Sequence, residues 1–383
     1  MIVLDFFRKY ALNIFFVVLL LVVVRSPITP IFITKNLTYV FFFVSAFFIF
    51  WQALVNPRVF LQRSFLLFYI VWFVYLIYFI LFDQSYEGLA YLILKGVTFA
   101  TIIICSSYYF KHYIKTFPET IVKSGLFILF LGLFFDQSIL QFRYDGILNN
   151  PNTLGFLSSI ILGILILKED FSTKKIFLML FLIVMILASG SRGAILGVLI
   201  ALLFRSFTLK NIIFLGFVLI SLLAINEVAT HLGMETGLNR IEETKGSFTS
   251  RNMTNYYGYK TLMLSPWTGF GLDKYAFITS KVIPIQLKYI LVPNPHNSYM
   301  GMFIQLGIPF AVIISLTLLY YILKVLLNRK KDKVFLFLIT FTAISASFES
   351  HLFSFFAFEG FIFWASIGIY LKYLNEYDYT KED

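Results

Sequence analysis

Residues 65–82 read FLLFYIVWFVYLIYFILF, a run without one charged side chain. A helix that crosses the hydrocarbon core of a bilayer needs about 20 apolar residues, because each backbone N–H and C=O must be satisfied inside the segment. Similar runs recur along all 383 residues, at about 10–25, 37–55, 65–82, 89–109, 120–137, 153–168, 174–190, 193–208, 211–227, 297–323, 333–349 and 352–372. Twelve spans would return both termini to the same side. The expected fold is an all-α polytopic membrane bundle, with residues 1–383 forming one domain.

Composition agrees. The chain is 59% hydrophobic and 13% charged, with a mean hydropathy of +0.85. A soluble domain is nearer half apolar and a quarter charged. The 48 phenylalanines suit lipid-facing helix surfaces. The single cysteine, Cys105, cannot form an intrachain disulfide, so redox chemistry is no part of the fold. Arg8 and Lys9 followed by an apolar run resemble a signal peptide. Arg25-Ser26-Pro27 stands where a small-x-small cleavage site would be, so the run is expected to stay as a first helix.

A net charge of +11 could suggest a nucleic-acid partner, but its distribution argues for topology instead. With the N-terminus in the cytoplasm, about 19 Lys/Arg fall in cytoplasmic segments, among them Arg58, Arg63, Lys111, Lys115, Lys174, Lys175, Arg205, Lys210 and Arg329-Lys330-Lys331. Only Arg25, Lys35, Arg143 and Arg192 fall in short outer loops. No nucleic-acid partner is needed to explain the charge.

One connection breaks the rhythm of short loops. Residues 227–296 form a long segment on the outer side, and a loop of that length in a compact membrane domain is usually functional. Within it an amphipathic helix is expected from about Ser250 to Leu264, with Ser250 as its cap. Ser265-Pro266 stops the helix, and Thr268-Gly269-Phe270-Gly271 forms a turn. No internal repeat of the transporter kind is visible.

Four polar clusters lie in the outer loops and adjoining helix ends. They are Arg143-Tyr144-Asp145-Gly146 with Asn149-Asn150-Pro151-Asn152, then Ser189-Gly190-Ser191-Arg192-Gly193, then Arg251, and finally Asn294-Pro295-His296-Asn297-Ser298-Tyr299 followed by Gln305 and Gly307. Ser-Gly-Ser-Arg-Gly, Arg251 with the later Ser-Pro-x-x-Gly-x-Gly, and His-Asn-x-Tyr-x-x-x-x-x-Gln-x-Gly together resemble the O-antigen ligase/polymerase superfamily, over about Leu148 to Phe310. The sequence departs from the family at Gln305, where Glu is usual, and at Phe310, where a second Gly is common. The glutamine speaks against an acid role there.

The resemblance implies a GT-C-like membrane glycosyltransferase in the bacterial inner membrane, with both termini cytoplasmic. Its donor would be a polyprenyl-diphosphate-linked oligosaccharide, its acceptor a glycan, its surroundings membrane lipid. A chain-length regulator or flippase could be a partner. Displacement would invert the anomeric centre without metal or cofactor; the expected reaction is polymerisation of surface-polysaccharide repeat units (O-antigen or capsule), and the alternative is a ligase moving glycan to a lipid A core or other acceptor. A sugar-lipid flippase would concentrate charge along a central path and need no long outer loop, whereas the intramembrane charges here are few and near the outer face.

The residues themselves suit that chemistry. A lipid diphosphate is a polyanion and a good leaving group once its charge is stabilised, and arginine binds phosphate bidentately while staying charged. Arg192 and Arg251 are the diphosphate candidates, the alternatives being a snorkelling helix-end arginine and a solvated loop charge. His296 is the base candidate, since imidazole titrates near working pH, and helix entry is its alternative. Asn297 beside it and Lys95, inside the fourth span, are further substrate-binding candidates, though Lys95 could equally snorkel. Asn149–Asn152 could bind sugar or cap a helix. Glu349, His351 and Glu359 could orient His296 or sugars. No His/Cys/Asp/Glu spacing suggests a metal site.

Reporter fusions test the orientation. Those after Arg63, Lys175 and Lys331 should report cytoplasm, and one inserted near Lys245 should report the outside. A cytoplasmic signal near Lys245 would place the motif loops in the wrong compartment.

Overall fold

The computed structural model describes residues 2–25, 31–136, 138–139, 143–168, 172–205, 247–287, 293–328 and 332–379, with scattered positions between 213 and 231. Among these residues the chain is helix and loop, apart from one isolated bridge between Val24 and Leu148. The helices are α1 (Ile2–Val22), α2 (Ile31–Val55), α3 (Leu66–Phe82), α4 (Tyr86–Phe135), α5 (Pro151–Leu167), α6 (Thr173–Ser189), α7 (Arg192–Phe204), α8 (Ser247–Leu264), α9 (Ser298–Leu327), α10 (Lys333–Ser345) and α11 (Phe358–Tyr379).

Four stretches are long and apolar enough to cross a membrane: Asn36–Val55, Arg63–Phe82, Tyr86–Phe135 and Ser298–Leu327. Pro151–Leu167, Arg192–Phe204 and Lys333–Ser345 are apolar but shorter. The sequence reading of an all-α polytopic membrane protein stands in that form, and its count of twelve is not established. The span expected at 211–227 lies almost wholly outside the described residues, and that expected at 193–208 is the shorter α7.

The long α4 is two limbs. A straight helix of 50 residues would extend about 75 Å. At Tyr109 the backbone leaves helical geometry (φ −132°, ψ 26°). Phe99 packs on Trp364, with ring centroids 4.8 Å apart, while Phe117 packs on Phe361 at 6.2 Å, and these two partners lie on one turn of α11. In a straight helix residues 99 and 117 would be about 27 Å apart. The chain therefore folds back at Tyr109, and both ends of α4 return to one end of the bundle. The returning limb runs beside α1, where Tyr113 Oη donates to Arg8 O (2.8 Å) and Asn13 Nδ2 to Thr116 Oγ1 (3.2 Å).

A polar collar marks the end at which α4 turns. Tyr109 Oη donates to Asp5 Oδ1 (2.6 Å), Gln52 Nε2 donates to Tyr108 Oη (3.1 Å), and the Arg8 guanidinium lies 4.0 Å from the Tyr108 ring centre. Asn375 Nδ2 donates to Ser64 Oγ (2.7 Å). Through these bonds the start of α1 and the last turns of α11 lie at the same end.

At the core stands α5, buried at each position from Leu154 to Leu167. Small residues let its neighbours close in: Gly163 faces the Phe337 ring, and Gly197 of α7 faces Ser159 and Phe341. In lipid, helix association rests on such close packing, because burial of apolar surface gains little where the solvent is itself apolar. Since α5 is the central post, its first residues are delivered to the middle of the end opposite the collar.

The long segment that carries α8 returns to the bundle through a backbone clamp. As expected from Ser265-Pro266, α8 stops at Leu264. It starts at Ser247, so Ser250 lies inside the helix and is not its cap, because nothing in Ser247-Phe248-Thr249 interrupts a helix. Beyond the stop, Ile308 N donates to Pro266 O (2.7 Å), Phe270 N to Ile304 O (3.0 Å) and Gly271 N to Gln305 O (3.1 Å). These bonds fill the gap where α9 breaks at Gly307 (φ 72°, ψ 171°) ahead of Pro309. The Tyr78 hydroxyl from α3 lies 2.6 Å from Thr268 O and accepts Gly271 N at 3.1 Å, while Asp83 Oδ2 accepts Leu272 N at 2.6 Å.

Glycine is obligatory at this break. A Cβ on Gly307 would sit 2.7 Å from Trp267 O and 2.9 Å from Gly269 N, in a region of φ/ψ that side chains avoid. Gly307→Ala should cost at least about 1–3 kcal/mol, the range for a strained backbone position. It should lower the melting temperature in detergent, and an unchanged melting temperature would mean the clamp is not rigid.

Candidate functional site

Two asparagines set up the end of the bundle opposite the collar. Asn150 accepts Asn152 N on its side chain (2.8 Å) and so caps α5, with Pro151 at the first helical position. Asn297 caps α9 in the same way, its Oδ1 accepting Tyr299 N (3.0 Å) and Met300 N (3.1 Å). This makes Asn297, expected among the substrate-binding residues, a helix cap in the described conformation.

His296 precedes that cap in left-handed backbone geometry (φ 47°), which is uncommon for a residue with a side chain. Asn294 holds it there by accepting His296 N at 2.7 Å, and Ser350 braces Asn294 with a 2.8 Å bond. Strain of this kind persists only where the surroundings over-determine it, and it clusters at working sites.

The centre of the constellation is Glu349, from the turn after α10. Its Oε1 accepts Asn152 Nδ2 at 2.9 Å and an Arg251 guanidinium nitrogen at 3.1 Å. Its Oε2 lies 3.7 Å from His296 Nδ1, too long for a hydrogen bond. Three of the four expected clusters thus meet at one carboxylate: Asn152 from the first, Arg251 from the third, His296 from the fourth. The side chains of Arg251, His296 and Glu349 are 44%, 36% and 29% exposed, so the site opens outward.

The main chain that carries Glu349 is fixed on both sides. Buried Ser298 donates its hydroxyl to Glu349 O (2.6 Å) and accepts His351 N and Leu352 N (both 3.0 Å). Trp364 Nε1 donates to Leu352 O (2.8 Å). Tyr91 Oη (2.9 Å) and Lys95 Nζ (2.7 Å) both donate to Phe353 O. Lys95 is therefore held inside the bundle, 2% exposed, by a carbonyl and the surrounding aromatic rings. Both sequence readings of Lys95, phosphate contact and snorkelling, put its ammonium at the outer boundary, and this conformation holds it in the interior instead. A buried ammonium is costly unless bonded, and the backbone carbonyl supplies the bond.

His351 is a neighbour of a different kind. It is buried with Nε2 3.2 Å from Ser345 Oγ, and burial pushes its imidazole down to about 4 against the opposing pull of Glu349. It is neutral at neutral pH and adds no charge to the site. Gln305 is also buried and structural: its amide donates to Leu272 O, which an ionised glutamate could not do.

Arg192 opens α7 beside this end of the bundle. Gly155, one turn into α5 from Asn152, packs against Ser189, Ser191 and Ala194. The left-handed Gly190 (φ 61°) ends α6 and sets up the turn into Arg192. The structure places Arg192 at the first turn of α7, close to the first turn of α5 that carries Asn152. Asp145 of the first cluster instead pairs with Arg25, next to the bridge between Val24 and Leu148.

Sequence reading left Glu349 undecided, because its partners Asn152 and Arg251 lie 197 and 98 residues away. The available signal was chemical: an acid at a helix-end turn of a chain in which acids are scarce. Residues 177–315 match the family model described as O-Antigen ligase. The match encloses Arg192, Arg251, His296, Asn297 and Gln305, and it supports the superfamily resemblance carried by their motifs. Lys95, Asn152 and Glu349 fall outside it. No curated protein matches the chain.

Ser298 is the keystone of the turn, and its removal is measurable. Ser298→Ala would strand two buried amides, at about 1–3 kcal/mol for each unsatisfied group. The expected result is a lower melting temperature together with reduced activity, and wild-type values for both would remove Ser298 from the support of the site.

Proposed function

We propose, from the O-antigen ligase match over residues 177–315, that the chain is a membrane glycosyltransferase acting at the outer face. It moves glycan from a polyprenyl-diphosphate carrier to an acceptor hydroxyl, joining the repeat units of a surface polysaccharide. The observation that carries this reading is the meeting of Arg251 and His296 at Glu349, an arrangement that sets a phosphate-binding cation beside a base.

The chemistry follows from what each group can do. Arg251 and Arg192 bind the diphosphate, neutralising the charge that grows as the bond from the anomeric carbon to the phosphate oxygen breaks. His296 takes the proton of the attacking hydroxyl as the new carbon–oxygen bond forms, and the bonding pair departs with the diphosphate. Attack from the face opposite the leaving group inverts the anomeric centre. A general base contributes about two to four decades in rate, and one charge-assisted bond about 1.5–3 kcal/mol.

A second reading is transfer of finished glycan to a lipid A core or another acceptor, favoured by the matched model's description as a ligase. Donor chemistry is common to both readings, and they differ in the acceptor hydroxyl alone. Extension of one lipid-linked repeat unit by another supports polymerase. Product formed only on a lipid core supports ligase.

The test uses purified full-length protein and lipid-linked oligosaccharide extracted from membranes. His296→Gln keeps a hydrogen-bonding side chain yet cannot hold the proton, so it should bind donor but lose about two decades or more in turnover. Arg192→Lys and Arg251→Lys should each lose about one to two decades, since an ammonium cannot reproduce the planar fork. Turnover should persist with chelator present. Near wild-type rates for His296→Gln would refute the base assignment, and rescue of chelated enzyme by a divalent ion would refute the metal-free step.

A further inference from the structure

The resting site holds a charge arrangement that does not suit its own chemistry. A base that takes a proton becomes an imidazolium, and a carboxylate beside it is worth most when nothing else claims its charge. Here Glu349 has that position, yet its nearer partner is the Arg251 guanidinium at 3.1 Å, while His296 Nδ1 stands off at 3.7 Å. Arg251 is in turn the residue that the donor diphosphate needs. The same guanidinium is bound by the enzyme's own acid at the place where a substrate anion would bind.

We propose that Glu349 is a shared carboxylate that couples donor binding to activation of His296. The donor's diphosphate draws Arg251 away and leaves the charge of Glu349 to the imidazole. This rests on the function proposed above and adds an order to it, donor first and proton transfer second.

Three features of the geometry make Glu349 able to do this. Its main chain cannot follow Arg251, because Ser298 holds Glu349 O, Ser345 O accepts Glu349 N at 3.0 Å, and Tyr91, Lys95 and Trp364 fix the next residues. Its Oε1 keeps a partner when Arg251 leaves, since Asn152 at the head of the buried α5 bonds the same oxygen at 2.9 Å. And Arg251, 44% exposed, sits on α8 of the outer segment, within reach of a ligand from the outer side. A diphosphate presents several oxygens to a guanidinium that otherwise shares one carboxylate oxygen with Asn152.

The atoms balance without further reactants. The acceptor oxygen bonds the anomeric carbon, the phosphate oxygen leaves with its electron pair, and the hydroxyl proton passes to His296 Nε2. Glu349, facing Nδ1, stays ionised and stabilises the imidazolium. It is a positioning residue, acting through His296 and Arg251 without touching the reacting atoms.

The proposal separates binding from turnover in opposite directions. Geranylgeranyl diphosphate, which carries the lipid diphosphate without sugar, serves as the binding probe for purified full-length protein. Glu349→Gln should bind it about 2–5-fold more tightly, the range for an exposed ion pair that no longer competes. The same variant should lose about ten- to a hundredfold in kcat on lipid-linked oligosaccharide, within the worth of the base it supports. In an Arg251→Gln background, adding Glu349→Gln should leave probe affinity unchanged and still lower kcat. That pair removes both charges together, so it remains informative if Glu349→Gln alone does not fold. Weaker probe binding in Glu349→Gln, an unchanged kcat, or a change of affinity in the Arg251→Gln background would each overturn the coupling. Failure of the functional reading has a separate signature: wild-type protein would neither bind the probe nor extend the oligosaccharide.

Discussion

A helix interrupted within a membrane protein must find partners for the backbone groups it frees, and here the interruption of α9 at Gly307 is satisfied by the segment that follows α8. Pro266, Phe270 and Gly271 exchange main-chain bonds with Ile304, Gln305 and Ile308. That exchange ties together the two elements that matter most for the site. α8 carries Arg251, and α9 begins two residues after His296, past the Asn297 cap. α8 also packs on α9 directly, with Gly258 facing Met300 and Ile304, so the clamp and that packing together hold the two elements at a fixed spacing.

The motif residues divide by what they do. Gly269, Gly271, Gly307 and Gln305 are architecture, because positive φ, close backbone approach and a buried amide bond account for them. Arg192, Arg251 and His296 lie at or near the open end of the bundle. Asn150 and Asn297 spend their side-chain oxygens on helix starts, whereas Asn152, two residues past a cap, is released to bond Glu349. One asparagine-rich stretch thus serves both the fold and the site.

What the sequence discloses is what local chemistry determines. Apolar runs announce a membrane bundle, Ser265-Pro266 announces the end of α8, and Lys111 with Lys115 separates the two limbs that fold back near Tyr109. What it hides is set by distance along the chain. Glu349 gains its meaning from Asn152, Arg251 and His296, and Lys95 from Phe353, pairings that no spacing rule reaches. The start of α8 at Ser247 was hidden for a different reason, since a weak helix-forming stretch gives no sharp signal of where it begins.

The burial of α5 on all its sides bears on how the enzyme responds to the bilayer around it. Helices at the rim of a membrane protein tilt and shift when lipid thickness or lateral pressure changes. A post enclosed by other helices is shielded from those forces, and Asn152 at its tip carries that steadiness to Glu349. The carboxylate is referenced to the interior of the protein, so a cell that remodels its lipids with temperature can do so without displacing Glu349.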